Sequence, residues 1–188
     1  ALWLYLRTGE YWARKGGADG VRRTSIAGHH IAWDKHNTLA DLAMWEILGR
    51  ILELENSPVD AQMAYGGSLE IVERRWRNGL PHAAVLARLG RVHRFQGDYE
   101  KAETYYRKAL EIQEKKAPET LVLAETYSQL GGLEIARGNL EAGEIILAKA
   151  LSVQKKLLPD SLDLAGTLER LGDVAMAGGN LDRAEELC

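Results

Sequence analysis

LARLGRVHRFQGDYEKAETYYRKALEIQEKKAP, residues 86–118, is the most regular segment of the chain. Apolar residues recur at spacings of three and four in both of its halves, which is the pattern of a helix with one buried face. Gly97 separates the halves, because glycine adopts a left-handed backbone without a Cβ penalty and so ends helices. Asp98 can cap the second helix, and Pro118 prevents it from continuing. The segment predicts a helix, a tight turn and a second helix.

The pattern of this segment recurs at a fixed interval along the chain. A constant period in the range of roughly 20 to 50 residues indicates a solenoid, in which each repeat buries its apolar face against its neighbours. Residues 1–36 keep the glycine spacing and are predicted to form a degenerate first copy. The landmarks that recur with the 41-residue period are the Leu-Gly pairs at 48–49, 89–90, 130–131 and 171–172, the turn glycines Gly97, Gly138 and Gly179, and Pro118 and Pro159.

Small and aromatic residues also recur, and their spacing resembles that of a known family. A Leu-Gly pair, a second glycine seven residues after the first, and then Ala102, Tyr106 and Ala109 at spacings of four and three resemble the tetratricopeptide repeat (TPR). Its usual unit has about 34 residues. The seven additional residues amount to about two helical turns, so the helices are expected to be longer than usual, as in the kinesin light chain variety. Residues 158–163 also resemble repeats of bacterial proteins that carry a caspase-like CHAT domain.

The resemblance implies an all-α fold, a right-handed α-solenoid of antiparallel helix pairs (the TPR superhelix). We expect a single array over residues 1–188, with four repeats, at about 1–36, 37–79, 80–119 and 120–160, and an incomplete fifth at 161–188. The connections are short, which argues against separate domains. The chain ends two turns into a helix without a polar capping element. We therefore expect a fragment of a longer protein, or an end that another chain covers.

The composition excludes several classes of function. The net charge of −3 provides no global basic field for nucleic acid, and no apolar run approaches a membrane span. There is no recognisable signal peptide, and the single cysteine, Cys188, suits a reducing compartment. These features predict a cytoplasmic protein that binds neither nucleic acid nor membrane. The basic run Arg74-Arg75-Trp76-Arg77 is interpreted as the solvated end of a helix.

No pattern in the sequence predicts catalysis, a metal site or a cofactor. His29, His30, Asp34 and His36 match no established zinc spacing and are interpreted as ordinary helical residues. Cys188 has no neighbouring base, and the paired glycines do not follow strands, so they are not phosphate loops. The protein is therefore predicted not to be an enzyme.

All five tryptophans lie in the N-terminal part of the chain, the last of them at position 76. Core packing of irregular repeats is the preferred interpretation, and an aromatic contact surface that includes Trp3 is the alternative. The full set is Trp3, Trp12, Trp33, Trp45 and Trp76.

A binding surface follows from the family resemblance, because the first helix of each TPR pair lines the concave face. The aligned positions begin mixed and basic and become acidic and small, which suits an extended peptide or helix with uneven charge. The family's carboxylate clamp of Lys and Asn is absent from them. The principal candidates are Arg50, Glu53, Arg91, Arg94, Phe95, Glu125, Ser128 and Glu169, with Ala87, Gly132, Ile135, Asp173 and Met176 on the same face.

The sequence therefore predicts a non-catalytic scaffold that binds a peptide or partner protein in the concave groove. Alanine at Arg91 and Arg94 is expected to weaken partner binding with little effect on the melting temperature. The partner can also be another domain of the parent chain. The alternative is a regulatory segment of a larger enzyme such as a CHAT protease, with the active site outside this chain. Self-association through the array ends is a third possibility.

Overall fold

The computed structural model describes residues 39–187, and this part of the chain consists of helices without strands. Each described helix is joined to the next by three or four residues. The helices are α1 Leu39–Leu54, α2 Pro58–Arg75, α3 Leu80–Phe95, α4 Tyr99–Lys116, α5 Leu121–Ala136, α6 Leu140–Leu157, α7 Leu162–Ala177 and α8 Leu181–Leu187.

Two kinds of helix alternate, and we call them A and B. The A helices are α1, α3, α5 and α7, and each has 16 residues. The B helices α2, α4 and α6 each have 18 residues. Successive A helices begin one full repeat apart, at Leu39, Leu80, Leu121 and Leu162. The predicted period and the predicted long helices are thus confirmed.

The turn between an A helix and the following B helix has the predicted chemistry. Gly97, Gly138 and Gly179 have φ values of 78°, 85° and 75°, a left-handed conformation that glycine adopts without strain. The Asp98 carboxylate accepts a hydrogen bond of 3.2 Å from the Lys101 amide and so caps α4. Both predictions for the segment 86–118 are confirmed.

A serine directly before Pro58 predicts an N-cap at Ser57, but this cap is not formed. Its hydroxyl donates to the Asp60 carboxylate at 3.0 Å and makes no capping bond to an amide of α2. The carboxylate at the third helical position is a strong, charged acceptor. The Ser57 hydroxyl therefore donates to this carboxylate, and its oxygen does not accept from the amides of the first turn. Pro58 does occupy the first turn, where its missing N–H costs no helical bond.

The chain contains two compact units, the first ending at Gln96 and the second beginning at Gly97. In the first unit α1 packs on α2 and α2 packs on α3. Tyr65 of α2 is completely buried and lies against Gly49 of α1, where an added Cβ would be 2.5 Å from the ring. The glycine therefore lets the two helices approach around a large aromatic side chain.

The second unit repeats this arrangement with a different large residue. Gly131 of α5 lies against the buried Leu147 of α6, and an added Cβ would be 2.7 Å from Leu147 Cγ. Ala102, Tyr106 and Ala109, which carry the family resemblance in the sequence, are completely buried. The main core of this unit contains Ala102, Tyr106, Leu110, Leu123, Tyr127, Leu130, Leu133 and Ala150.

Two of the five tryptophans lie within the described residues. Trp45 is half-buried, and its ring lies against Gly67 of α2, where an added Cβ would be 2.8 Å from Cε2. Trp76 is half-buried at the end of α2. For Trp45 this contact agrees with the interpretation as packing. Trp3, Trp12 and Trp33 lie outside the described residues.

We predict different effects on stability for alanine at two adjacent glycines of α5. Gly131→Ala should lower the free energy of unfolding by about 1–3 kcal/mol, because the methyl group overlaps Leu147. Gly132→Ala should leave it unchanged or raise it by up to about 1 kcal/mol, because its Cβ meets only ordinary contacts at 3.6–3.9 Å and alanine favours the helix. Urea unfolding of both variants measures the difference. Equal destabilisation by the two changes would contradict the proposed packing.

Candidate partner-binding surface

Glu53 is the centre of a hydrogen-bonded group on the A helices of the first unit. Arg91 Nε donates to Glu53 Oε1 at 3.0 Å, and Arg91 Nη2 donates to Oε2 at 2.6 Å. The Tyr65 hydroxyl also donates to Oε2, at 3.0 Å. The structure thus brings together Glu53 and Arg91, two residues predicted separately as partner contacts, in a bidentate ion pair between α1 and α3.

A second ion pair joins the same two helices. Arg88 Nε lies 3.8 Å from Glu46 Oε1, and the Arg88 guanidinium carbon is 5.9 Å from the centre of the Tyr65 ring. Sequence reasoning missed this pair, because the groove assignment considered each repeat separately. Glu46 and Arg88 carry opposite charges on consecutive A helices, and their separation in sequence is one residue longer than the repeat interval. A search for such pairs could have revealed this contact.

The ends of α1 and α3 expose apolar side chains next to arginines. Leu54 is 88% exposed and Phe95 is 64% exposed, and the two residues occupy equivalent positions of consecutive repeats. The Arg94 guanidinium carbon lies 5.3 Å from the centre of the Phe95 ring. Arg50 is exposed one turn before Leu54, and neither Arg50 nor Arg94 has an ion pair within residues 39–187. Leu54 was not among the contact residues predicted from the sequence, although it lies one repeat interval before the candidate Phe95.

In the second unit the predicted contact Ser128 lies beneath another side chain. Ser128 is only 5% exposed, and its hydroxyl oxygen accepts a hydrogen bond of 2.6 Å from Arg170 Nη1. The Arg170 side chain crosses from α7 to α5 and lies over Gly132. Arg170 was not among the predicted residues, because alignment on the Leu-Gly pair selected its neighbour Glu169. Glu125 and Glu169 are exposed, as expected for contacts.

The other predicted features are a basic run and the histidine group. The arginines of the run 74–77 are exposed at the end of α2, where a surface cleft of about 590 Å³ is lined by Glu70, Glu73, Arg74 and Arg77. Its mixed charge agrees with a solvated helix end. His29, His30, Asp34, His36 and Cys188 lie outside the described residues. Among residues 39–187, no group of three or more His, Cys, Asp or Glu side chains could hold a metal ion.

The described helices share one architecture. Within residues 39–187, no helix combines the length and the apolar character that crossing a bilayer requires. Helix pairs whose first helices begin at a constant interval define a helical repeat protein.

Sequence comparison identifies the family of these repeats. Residues 41–115 and residues 123–163 each match the tetratricopeptide repeat. The chain belongs to the tetratricopeptide repeat family, and the predicted all-α TPR fold is confirmed. Repeats of this family are typically non-catalytic scaffolds. No curated protein matches the chain significantly.

Solved structures show the same fold at low sequence identity. BtubC (BKLC) from P. vanneervenii has a TM-score of 0.83 and 20% identity, covering 95% of this chain and 73% of that one. Repeats of a putative kinesin light chain from Podosopora anserina have a TM-score of 0.79 and 16% identity, covering 99% and 90%. The apo form of RapI has a TM-score of 0.85 and 15% identity, covering 99% and 67%. The predicted likeness to kinesin light chain repeats is thus confirmed for the fold.

We predict that the two arginines near the end of α3 differ in their effect on stability. Arg91→Ala should lower the free energy of unfolding by about 1–3 kcal/mol, because it leaves Glu53 without its bidentate partner. Arg94→Ala should change it by less than about 0.5 kcal/mol. Thermal unfolding of both variants tests this. The sequence predicted that both changes have little effect on the melting temperature. We revise this prediction for Arg91, and a melting temperature of Arg91→Ala close to that of the wild type would restore it.

We predict a loss of stability in alkali that depends on Tyr65. Burial, together with the charge of Glu53 and the hydrogen bond to it, raises the pKa of Tyr65 from 10.0 to about 12. Between these values the unfolded chain releases this proton while the folded chain retains it, so stability falls as the pH rises from 10 to 12. Below pH 10 this contribution is fully present.

The measurement is the urea midpoint at pH 9, 10 and 11. Tyr65→Phe should lose less stability across this range than the wild-type chain, because it has no proton to release. Tyr99→Phe, at an exposed position, is the control and should follow the wild-type slope. An identical slope for Tyr65→Phe and wild type would show that Tyr65 does not cause the loss.

Proposed function

We propose that the protein is a non-catalytic interaction scaffold that binds an extended peptide of a partner protein along its A helices. The observation that carries the proposal is the surface at the ends of α1 and α3, formed by Arg50, Leu54, Arg94 and Phe95. We call it the Phe95 surface. It presents two large apolar side chains to solvent beside two arginines without acidic partners among the described residues.

The chemistry of the Phe95 surface supports binding. Aromatic and arginine side chains dominate the residues that contribute most to protein interfaces. Exposing Leu54 and Phe95 has no evident benefit to the isolated fold, since burial of apolar area is what stabilises it. A partner that covers both side chains would gain that free energy on binding. Exposed apolar groups beside polar ones are typical of interaction sites.

The ion pairs beside the Phe95 surface favour a preformed site. Glu53 on α1 holds Arg91 on α3 through two hydrogen bonds, so one side chain of each helix is fixed before any partner arrives. Arg88 on α3 lies within ion-pair distance of Glu46 on α1. Binding to fixed groups loses less conformational entropy than binding to mobile ones. Membership of the tetratricopeptide repeat family supports the same function.

The remaining functional expectations also belong to this proposal. The partner can be a separate protein, another domain of the parent chain or a second copy of this chain, and static light scattering over a concentration series distinguishes the last of these. The regulatory role beside a CHAT protease and the cytoplasmic location stay predictions from the sequence.

We predict that Phe95→Ala weakens peptide binding by about tenfold or more, because it removes the aromatic anchor. Peptides are selected on the full chain from a displayed library of random 12-residue sequences, and their affinities are measured by fluorescence anisotropy. Met63→Ala is the matched control, because Met63 is 72% exposed in the same unit but lies on the B helix α2. Selection of no peptide, or equal affinities for wild type, Phe95→Ala and Met63→Ala, would contradict the proposed surface.

A further inference from the structure

Two arginines at equivalent positions of the repeat have different neighbours. Arg88 and Arg170 are two repeat intervals apart, as are Glu46 and Ser128, the residues that they contact on the preceding A helix. In the first unit Arg88 has Glu46 within ion-pair distance, at 3.8 Å. In the second unit a serine stands where the glutamate would be, and Arg170 has no carboxylate within ion-pair distance among residues 39–187.

A chain of hydrogen bonds fixes the position of Arg170. Thr167 Oγ1 donates to the Asp163 carbonyl oxygen at 3.0 Å. Its proton is therefore engaged, so the Ser128 hydroxyl, 3.2 Å away, donates to Thr167. The Ser128 oxygen in turn accepts from Arg170 Nη1 at 2.6 Å. The three bonds run in one direction, and they hold the guanidinium group without cancelling its charge.

Gly132 lets the Arg170 side chain lie close to the backbone of α5. An added Cβ at Gly132 would lie 3.6 Å from Arg170 Nε and 3.7 Å from Cδ, so the arginine side chain lies directly over this glycine of α5. The equivalent positions in the preceding A helices carry Arg50 and Arg91. In the described part of the chain, Arg170 Nε and Nη2 have no hydrogen-bond acceptor, so this edge of the guanidinium group can donate to a ligand.

We propose that Arg170 binds a carboxylate side chain of the partner peptide. The inference rests on the proposed function and names the chemistry that the second unit recognises. A guanidinium that is held in place and lacks an internal acid can form two parallel charge-assisted hydrogen bonds to a carboxylate. Because it is already oriented, little side-chain entropy is lost when the ligand binds.

The other charges on these A helices define the rest of the partner's character. Glu125, Glu169 and Asp173 are exposed on α5 and α7 without ion pairs among the described residues. Asp173 is three residues from Arg170 and within reach along a helix, yet Arg170 is directed across to Ser128. A peptide with one acidic residue among basic ones complements this surface, because its basic residues face the three carboxylates.

The test couples one residue of the protein to one residue of the peptide. Peptides are selected on the wild-type chain from a displayed library of random 12-residue sequences. Each is then synthesised with a fluorescein label, as selected and with each Asp or Glu changed to Asn or Gln. Affinities are measured for the wild-type chain and for Arg170→Gln, a substitution that reproduces Gln129, the residue one interval earlier.

We expect one acidic peptide residue whose amide replacement weakens binding to the wild type by about tenfold or more. The same replacement should change the affinity of Arg170→Gln by less than about twofold, because the partner charge is gone. Arg88→Gln is the matched control, and it should retain the full effect of the replacement, because Arg88 already has an acidic neighbour, Glu46, within ion-pair distance.

A second variant keeps the arginine and supplies an internal acid. Ser128→Glu places a glutamate at the position equivalent to Glu46. It should remove the protein's preference for the acidic peptide residue, as Arg170→Gln does. If the acidic residue contributes equally on wild type, Arg170→Gln and Ser128→Glu, the inference is wrong while peptide binding stands. If no peptide is selected, the proposed function fails and the inference fails with it.

Discussion

The contact between a glycine of an A helix and a large residue of the next B helix is the constraint on which each unit depends. Gly49 meets Tyr65 in the first unit, and Gly131 meets Leu147 in the second. The choice of large residue affects the surface as well as the core. A buried tyrosine hydroxyl requires an acceptor, and Glu53 provides it while also holding Arg91. Leucine requires none, and the residue equivalent to Glu53 is Ile135.

The helices, their period and their turns could be predicted because local spacing encodes them. An apolar face needs only residues three and four apart, and Gly97 needs only its own left-handed conformation to end α3. The constant repeat interval then fixes where each later helix begins. Where the local rule failed, at Ser57, a neighbouring carboxylate competed for the same hydroxyl, and cap preferences considered one residue at a time do not include such competition.

The candidate site could be predicted only in part, because side-chain partners lie one repeat away. The sequence identifies Glu53, Arg91 and Ser128 as A-helix residues, but their hydrogen bonds join α1 to α3 and α5 to α7. Which arginines have an acidic partner depends on these contacts between consecutive A helices. The error of one position between Glu169 and Arg170 has the same origin, since alignment gives the helix face but not the direction in which a long side chain extends.

The ion pairs between consecutive A helices also make the repeats specific to their neighbours. Glu46 and Glu53 meet Arg88 and Arg91, whereas the residues one interval later are Gln129 and Gly132. A chain that lost one whole repeat through recombination would keep its helices and its period. Its α1 would nevertheless face Gln129 and Gly132 in place of the two arginines, and both glutamates would lose their arginine partners. The charges on the A helices thus determine which repeats fit together as neighbours, and repeats with similar backbones are not interchangeable.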